Sequence, residues 1–86
     1  MYRVFLSPRA AKEIKKLPKQ IKPKIDFVLT KLSANPFVSA QSKYLRDSRL
    51  ANFRIRISDY RLLYDVYAKD KVVYVLRVGH RKDIYK

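Results

Sequence analysis

Five arginines are spaced so that one flat surface can hold them. In Asn52–Ser58 the apolar residues Phe53, Ile55 and Ile57 alternate strictly with Arg54, Arg56 and Ser58, the period-2 pattern of a strand with one face in a core and the other in water. In the next run Leu62, Tyr64 and Val66 share a face and leave Arg61, Leu63 and Asp65 opposite, and in the last Leu76 and Val78 oppose Arg77, Gly79 and Arg81. If helices cover the apolar faces, Arg54, Arg56, Arg61, Arg77 and Arg81 converge on the uncovered side of one sheet. A guanidinium stays protonated and meets phosphate oxygens with a planar two-pronged fork, so such a face can hold and neutralise phosphate. For each arginine alone the plainer alternative is ordinary solvation, with Arg61 paired to Asp59 or Asp65; five on one face count against it.

Other side chains with chemical potential are fewer. His80 has an ordinary pKa near 6.5 that suits a general acid or base, but alternation puts it beside Leu76 and Val78 rather than with Arg81, which favours a structural role. Tyr85 can transfer a proton, stack on a base, or simply pack, as tyrosines commonly do where there are seven of them. Lys12, Lys15, Lys16, Lys19 and Lys22 read as a solvated helix face able to add phosphate contacts.

Charge asks for an acidic partner. The 86 residues carry 21 Lys plus Arg against 7 Asp plus Glu, a net +14 with a pI near 10.3, and that is heavy self-repulsion in a small body. Its types are partitioned: seven Lys and two Arg in the first 42 residues, seven Arg and five Lys in the rest. The candidates are nucleic acid, an anionic membrane surface and an acidic protein, and since no apolar run approaches the length of a membrane span, composition favours nucleic acid over the other two. Without cysteine, disulfides and thiolate metal sites are excluded, and a single histidine cannot build a zinc or di-iron centre, so no metal or other cofactor is expected. The apolar stretch after Met1 is too short for a signal peptide, so a cytoplasmic location is expected.

The elements that must position these residues are legible as well. With 48% hydrophobic residues the chain can build one core, hence a single domain over residues 1–86. Tyr2–Leu6 reads as a strand stopped by Ser7-Pro8, a cap followed by a proline suited to the first helical position. Ala11, Ile14 and Leu17 give a first helix over Pro8–Lys16, ended at Leu17-Pro18. Ile21, Ile25, Val28, Leu29 and Leu32 form one stripe of a second helix, beginning near Gln20 or Ile21 because Pro23 is tolerated only in the first turn, and ending before Asn35-Pro36. Phe37–Gln41 reads as loop and Lys43–Arg46 as a short strand. Asn52–Ser58, Tyr60–Tyr67 and Lys71–Gly79 follow as a meander with tight breaks. The expected class is α+β: an N-terminal strand, a helical hairpin, then an antiparallel meander forming one sheet with the helices on one face.

Residues Asn52 to Tyr64, followed by Val78-Gly79-His80-Arg81-Lys82-Asp83-Ile84-Tyr85, resemble the RelE/ParE toxin superfamily. Ser7 to Ile14, Lys16-Leu17 and Asn35-Pro36 also sit where that family has similar residues, so the resemblance covers nearly the whole chain. It implies a metal-independent endoribonuclease that cleaves mRNA, in RelE-like members at the ribosomal A site, and is neutralised by a cognate antitoxin. RelE-like enzymes have basic residues at the positions of Arg54 and Arg56, arginines at Arg61 and Arg81, and a tyrosine at Tyr85; all five are filled, and these are the expected catalytic residues. Arg77, Lys82, Lys12 and Lys16 are the expected additional RNA contacts. Some members carry lysine, a possible base, where this chain has Arg54 or Arg56, which leaves Tyr85, His80 or the substrate alignment imposed by the ribosome to fill that role. ParE-like relatives share the fold, poison DNA gyrase and generally lack this set. A gyrase-poisoning toxin and a non-catalytic nucleic-acid binder are the competing classes.

Overall fold

A computed structural model describes residues 1–36, 42–44 and 53–84. Its elements are β1 (Arg3–Leu6), α1 (Pro8–Lys15), α2 (Lys22–Ala34), β2 (Ser42–Tyr44), β3 (Phe53–Ile57), β4 (Tyr60–Tyr67) and β5 (Val72–His80). The five strands form one sheet in the order β1-β5-β4-β3-β2. β2 through β5 pair antiparallel as a meander, whereas β1 lies parallel to the distant β5, with Phe5 opposite Tyr74. The expected loop over Phe37–Gln41 and the outer ends of the strands drawn to Arg46 and from Asn52 lie outside the described residues.

The helices form where capping and periodicity direct them. Ser7 caps α1, accepting the Ala10 N–H with its hydroxyl oxygen, and Pro8 occupies the first turn. α2 has no side-chain cap, and Pro23 falls in its first turn, where a missing N–H costs nothing because no carbonyl is waiting for it. Both helices cover one face of the sheet. Ile25 and Leu32 of α2, with Val28 and Leu29 beside them, pack on Ile55, Ile57, Leu62, Tyr64, Val73, Val75 and Val78. In α1 the fully buried alanine is Ala10 rather than Ala11, because Ala10, Ile14 and Leu17 keep the i, i+4, i+7 spacing of a single helical stripe, while a three-residue step drifts around the helix. Tyr64 is fully buried and donates its hydroxyl to the Pro36 carbonyl at 2.9 Å, which ties the end of α2 to the sheet.

β5 departs from simple alternation. Leu63 pairs with Arg77 but Tyr64 with Val75, so Leu76 is an extra residue on its strand, a bulge that inverts the side-chain parity beyond it. Counting by twos from the buried Val73 and Val75 would drive Arg77 into the core. The bulge returns Arg77 to the open face and puts Val78 back beneath the helices. Leu76 therefore does not sit with Val78; it packs with Leu63 and Ile84 on the opposite side.

The β4–β5 connection contains Lys71 at φ 54°, a left-handed conformation that costs a non-glycine residue about 1–2 kcal/mol. Lys71 is exposed and carries no load in the core. Lys71→Gly is expected to raise the unfolding free energy by about 0.5–1 kcal/mol after the larger chain entropy of glycine is set against that relief, readable as a higher midpoint in urea.

Candidate nucleic-acid interface and active site

Cross-strand register builds the site. Arg56 stands directly opposite Arg61, and Arg61 opposite Gly79; the next row inward is Arg54, Leu63 and Arg77. All lie on the face away from the helices. Arg81 joins the Arg56–Arg61 end of the sheet because its N–H donates to the Asp59 carbonyl at 2.8 Å. Two arginines opposed across antiparallel strands repel each other, at a cost of a few tenths to about 1 kcal/mol, unless an anion lies between them.

The sequence-derived residues divide by what holds them. Arg56 and Arg81 are exposed, and Arg54 and Arg61 are half-buried. Arg61 Nη1 donates to the carbonyls of Ser58 and Tyr60, at 3.3 and 3.0 Å. Those carbonyls belong to the β3–β4 turn, where Ser58 takes φ 54°, so the turn itself aims the guanidinium and leaves Nε and Nη2 for a ligand. Arg77 is placed differently. Its Nη2 and Nε donate to Glu13 Oε2 at 3.0 and 3.3 Å, and its Nη1 to the Ile84 carbonyl at 3.4 Å, which commits its fork within the protein. Lys82 is exposed on the C-terminal turn, Lys12 is exposed on α1, and Lys16 is exposed at the residue that caps the end of α1. Tyr85 lies outside the described residues.

His80 organises that turn. Its carbonyl accepts the N–H groups of Asp83 and Ile84, at 2.9 and 3.0 Å, its Nδ1 accepts the Lys82 N–H at 3.1 Å, and its ring meets Tyr60 edge-on with centroids 5.3 Å apart. With Nδ1 taken as an acceptor, a neutral ring carries its proton on Nε2, where it can donate but not accept.

Residues outside the sequence-derived set complete the site. Ile84 is fully buried against Leu63 and Leu76 on the otherwise open face. Glu13 reaches from α1 to Arg77 and also accepts the Val78 N–H at 3.0 Å. Beyond the end of β1, the free edge of β5 is thus met by α1, with Ser7 donating its hydroxyl to the Leu76 carbonyl at 2.8 Å. The signal for Glu13 was present: it is the only glutamate in the chain, set among the lysines of a helix.

No helix among the described residues is long and apolar enough to cross a membrane. A helix pair lies on one face of a small mixed sheet and a cationic row on the other, an α+β domain. The chain matches the family model of the ParE toxin of type II toxin-antitoxin systems over residues 4–85. It is 35% identical over 86 residues to Toxin RelG of Mycobacterium tuberculosis, covering 99% of this chain and 97% of that protein. It superposes on a chain of the toxin-antitoxin complex RelBE2 from the same organism with a TM-score of 0.79 at 32% identity, covering 93% and 98% of the two chains. On the isolated E. coli RelE toxin the TM-score is 0.78 at 29% identity, covering 99% and 92%. The chain belongs to the RelE/ParE superfamily and is a RelE-like toxin of a toxin-antitoxin system.

Proposed function

We propose that this toxin is a metal-independent endoribonuclease that cleaves mRNA at the ribosomal A site, in the cytoplasm, by attack of the ribose 2′-hydroxyl on the adjacent phosphorus. The observation that carries this reading is the placement of Arg56 directly opposite Arg61, with Arg81 docked at the same end of the sheet. Attack by the 2′-oxygen forms the new P–O bond and gives a phosphorane whose added negative charge must be met before the 5′-oxygen leaves. Donors fixed in advance where that charge develops supply the largest share of most catalytic effects. Arg61, aimed by its turn, and Arg81 are assigned to the phosphorane oxygens, and Arg54 and Arg56 to the flanking phosphates. An arginine cannot take the 2′-proton, and His80 lacks a free ring lone pair when neutral, so that proton passes to Tyr85 or to solvent and the departing 5′-oxygen takes a proton from solvent, while the ribosome supplies the alignment.

The test is to map RNA ends after translation with the purified toxin. Cleavage is expected to persist in a chelator at a concentration that leaves ribosomes assembled, and the upstream fragment should end in a 2′,3′-cyclic or 3′-phosphate. A 3′-hydroxyl end would rule out 2′-oxygen attack. One observation favours a second reading, gyrase poisoning: the matching family model is described as a ParE toxin. Gyrase-dependent DNA breaks without RNA cleavage would establish it, and salt-sensitive RNA binding with neither activity would mark a plain binder. The partner we assign is a cognate antitoxin, since related toxins are described in complex with RelB antitoxins. An acidic segment that folds on binding would neutralise the +14 chain and mask its arginine face.

A further inference from the structure

The least explained charged groups are Glu13 and Arg77, 64 residues apart in sequence and joined by an ion pair whose side chains are 21% and 17% exposed. We propose that they are positioning residues: their pair, acting through the Ile84 carbonyl, holds the turn 81–84 against the open face and so sets where Arg81 stands. The activity readout rests on the ribonuclease reading above.

Each link is a direct contact. Glu13 is fixed from behind by the Val78 N–H at 3.0 Å. So fixed, its carboxylate takes Nε and Nη2 of Arg77 and sets the plane of the guanidinium, which turns the remaining Nη1 to the Ile84 carbonyl at 3.4 Å. Ile84 is also held by its N–H on the His80 carbonyl and by its buried side chain over Leu63 and beside Gly79. Arg81 has no side-chain partner among the described residues, so its position follows from the turn that carries it: its own N–H on Asp59, the bonds of Lys82, Asp83 and Ile84 to His80, and the Ile84 carbonyl on Arg77, which is the one tie from the turn to the open face that the Glu13 pair controls. A partly exposed ion pair contributes little to global stability. Three fixed donors from one guanidinium, in contrast, hold a local geometry that a lysine cannot reproduce.

The test uses the full chain with Glu13→Gln, which keeps an acceptor for Val78 but loses the charge, Arg77→Lys, which keeps the charge but loses the fork, and the double variant. Each single change is expected to lower kcat on ribosome-bound message at least about tenfold, the scale of a small misplacement of a reacting group, with KM unchanged within about twofold. The double variant should fall no further than the worse single one, because both act through the same anchor. Amide exchange at Asp83 and Ile84 should rise about tenfold while Ile55 and Val73 in the core stay protected, which shows that the variants fold. Additive losses, or a raised KM with kcat intact, would mean that Arg77 contacts RNA itself and would overturn the proposal; so would unchanged exchange at Asp83 and Ile84. If the unaltered toxin cleaves nothing, the ribonuclease reading fails, and the exchange measurement alone decides whether the pair holds the turn.

Discussion

Arg61→Ala and Arg81→Ala are each expected to slow ribosome-dependent cleavage about 100- to 1000-fold, the range seen when one preorganised donor to a developing oxyanion is removed. Neither change touches the main core. Arg81 is exposed, and Arg61 gives up only its bonds to the Ser58 and Tyr60 carbonyls at the sheet's end. Circular dichroism and the thermal midpoint should therefore stay close to those of the unaltered toxin. Arg→Lys at either position should recover only part of the rate, because a lysine supplies the charge without two parallel N–H donors. Single-turnover cleavage of programmed ribosomes measures all four variants, and an unaltered rate in the two alanine variants would remove these residues from the site.

RNA affinity should fall steeply with salt. Arg54, Arg56, Arg61 and Arg81 offer four phosphate contacts on one face, and single-stranded nucleic acid gives about −0.7 in log affinity against log salt per contact, so the expected slope is about −3. Raising monovalent salt from about 50 to about 200 mM then weakens binding of a short unstructured RNA roughly fiftyfold. Arg56→Ala should reduce the slope by about 0.7, whereas Arg77→Gln should leave it nearly unchanged because that guanidinium is already occupied by Glu13 and Ile84. Fluorescence anisotropy across a salt series gives each slope directly. A slope unaffected by Arg56→Ala would move the RNA to the lysines of α1.

What the sequence by itself determined was local. The residues of β4 and the stripe Ile21, Ile25, Val28, Leu29 and Leu32 follow from periods of two and of 3.6, which depend only on near neighbours. Arg54, Arg56 and Arg61 could be assigned to one face for the same reason: no irregularity interrupts β3 or the paired part of β4 that carries them. Beyond that the tertiary structure decided. One extra residue at Leu76 reverses which face every later side chain of β5 occupies, and parity counting cannot detect it, because both parities place apolar residues on the core side somewhere along that strand. The parallel placement of β1 beside β5, the pairing of Glu13 with Arg77, and the burial of Ile84 over Leu63 join residues remote in sequence. Their energies arise only when the edge of β5 and the open face exist to be covered: a free N–H at Val78 needs an acceptor, and an apolar Leu63 on a cationic face needs a lid.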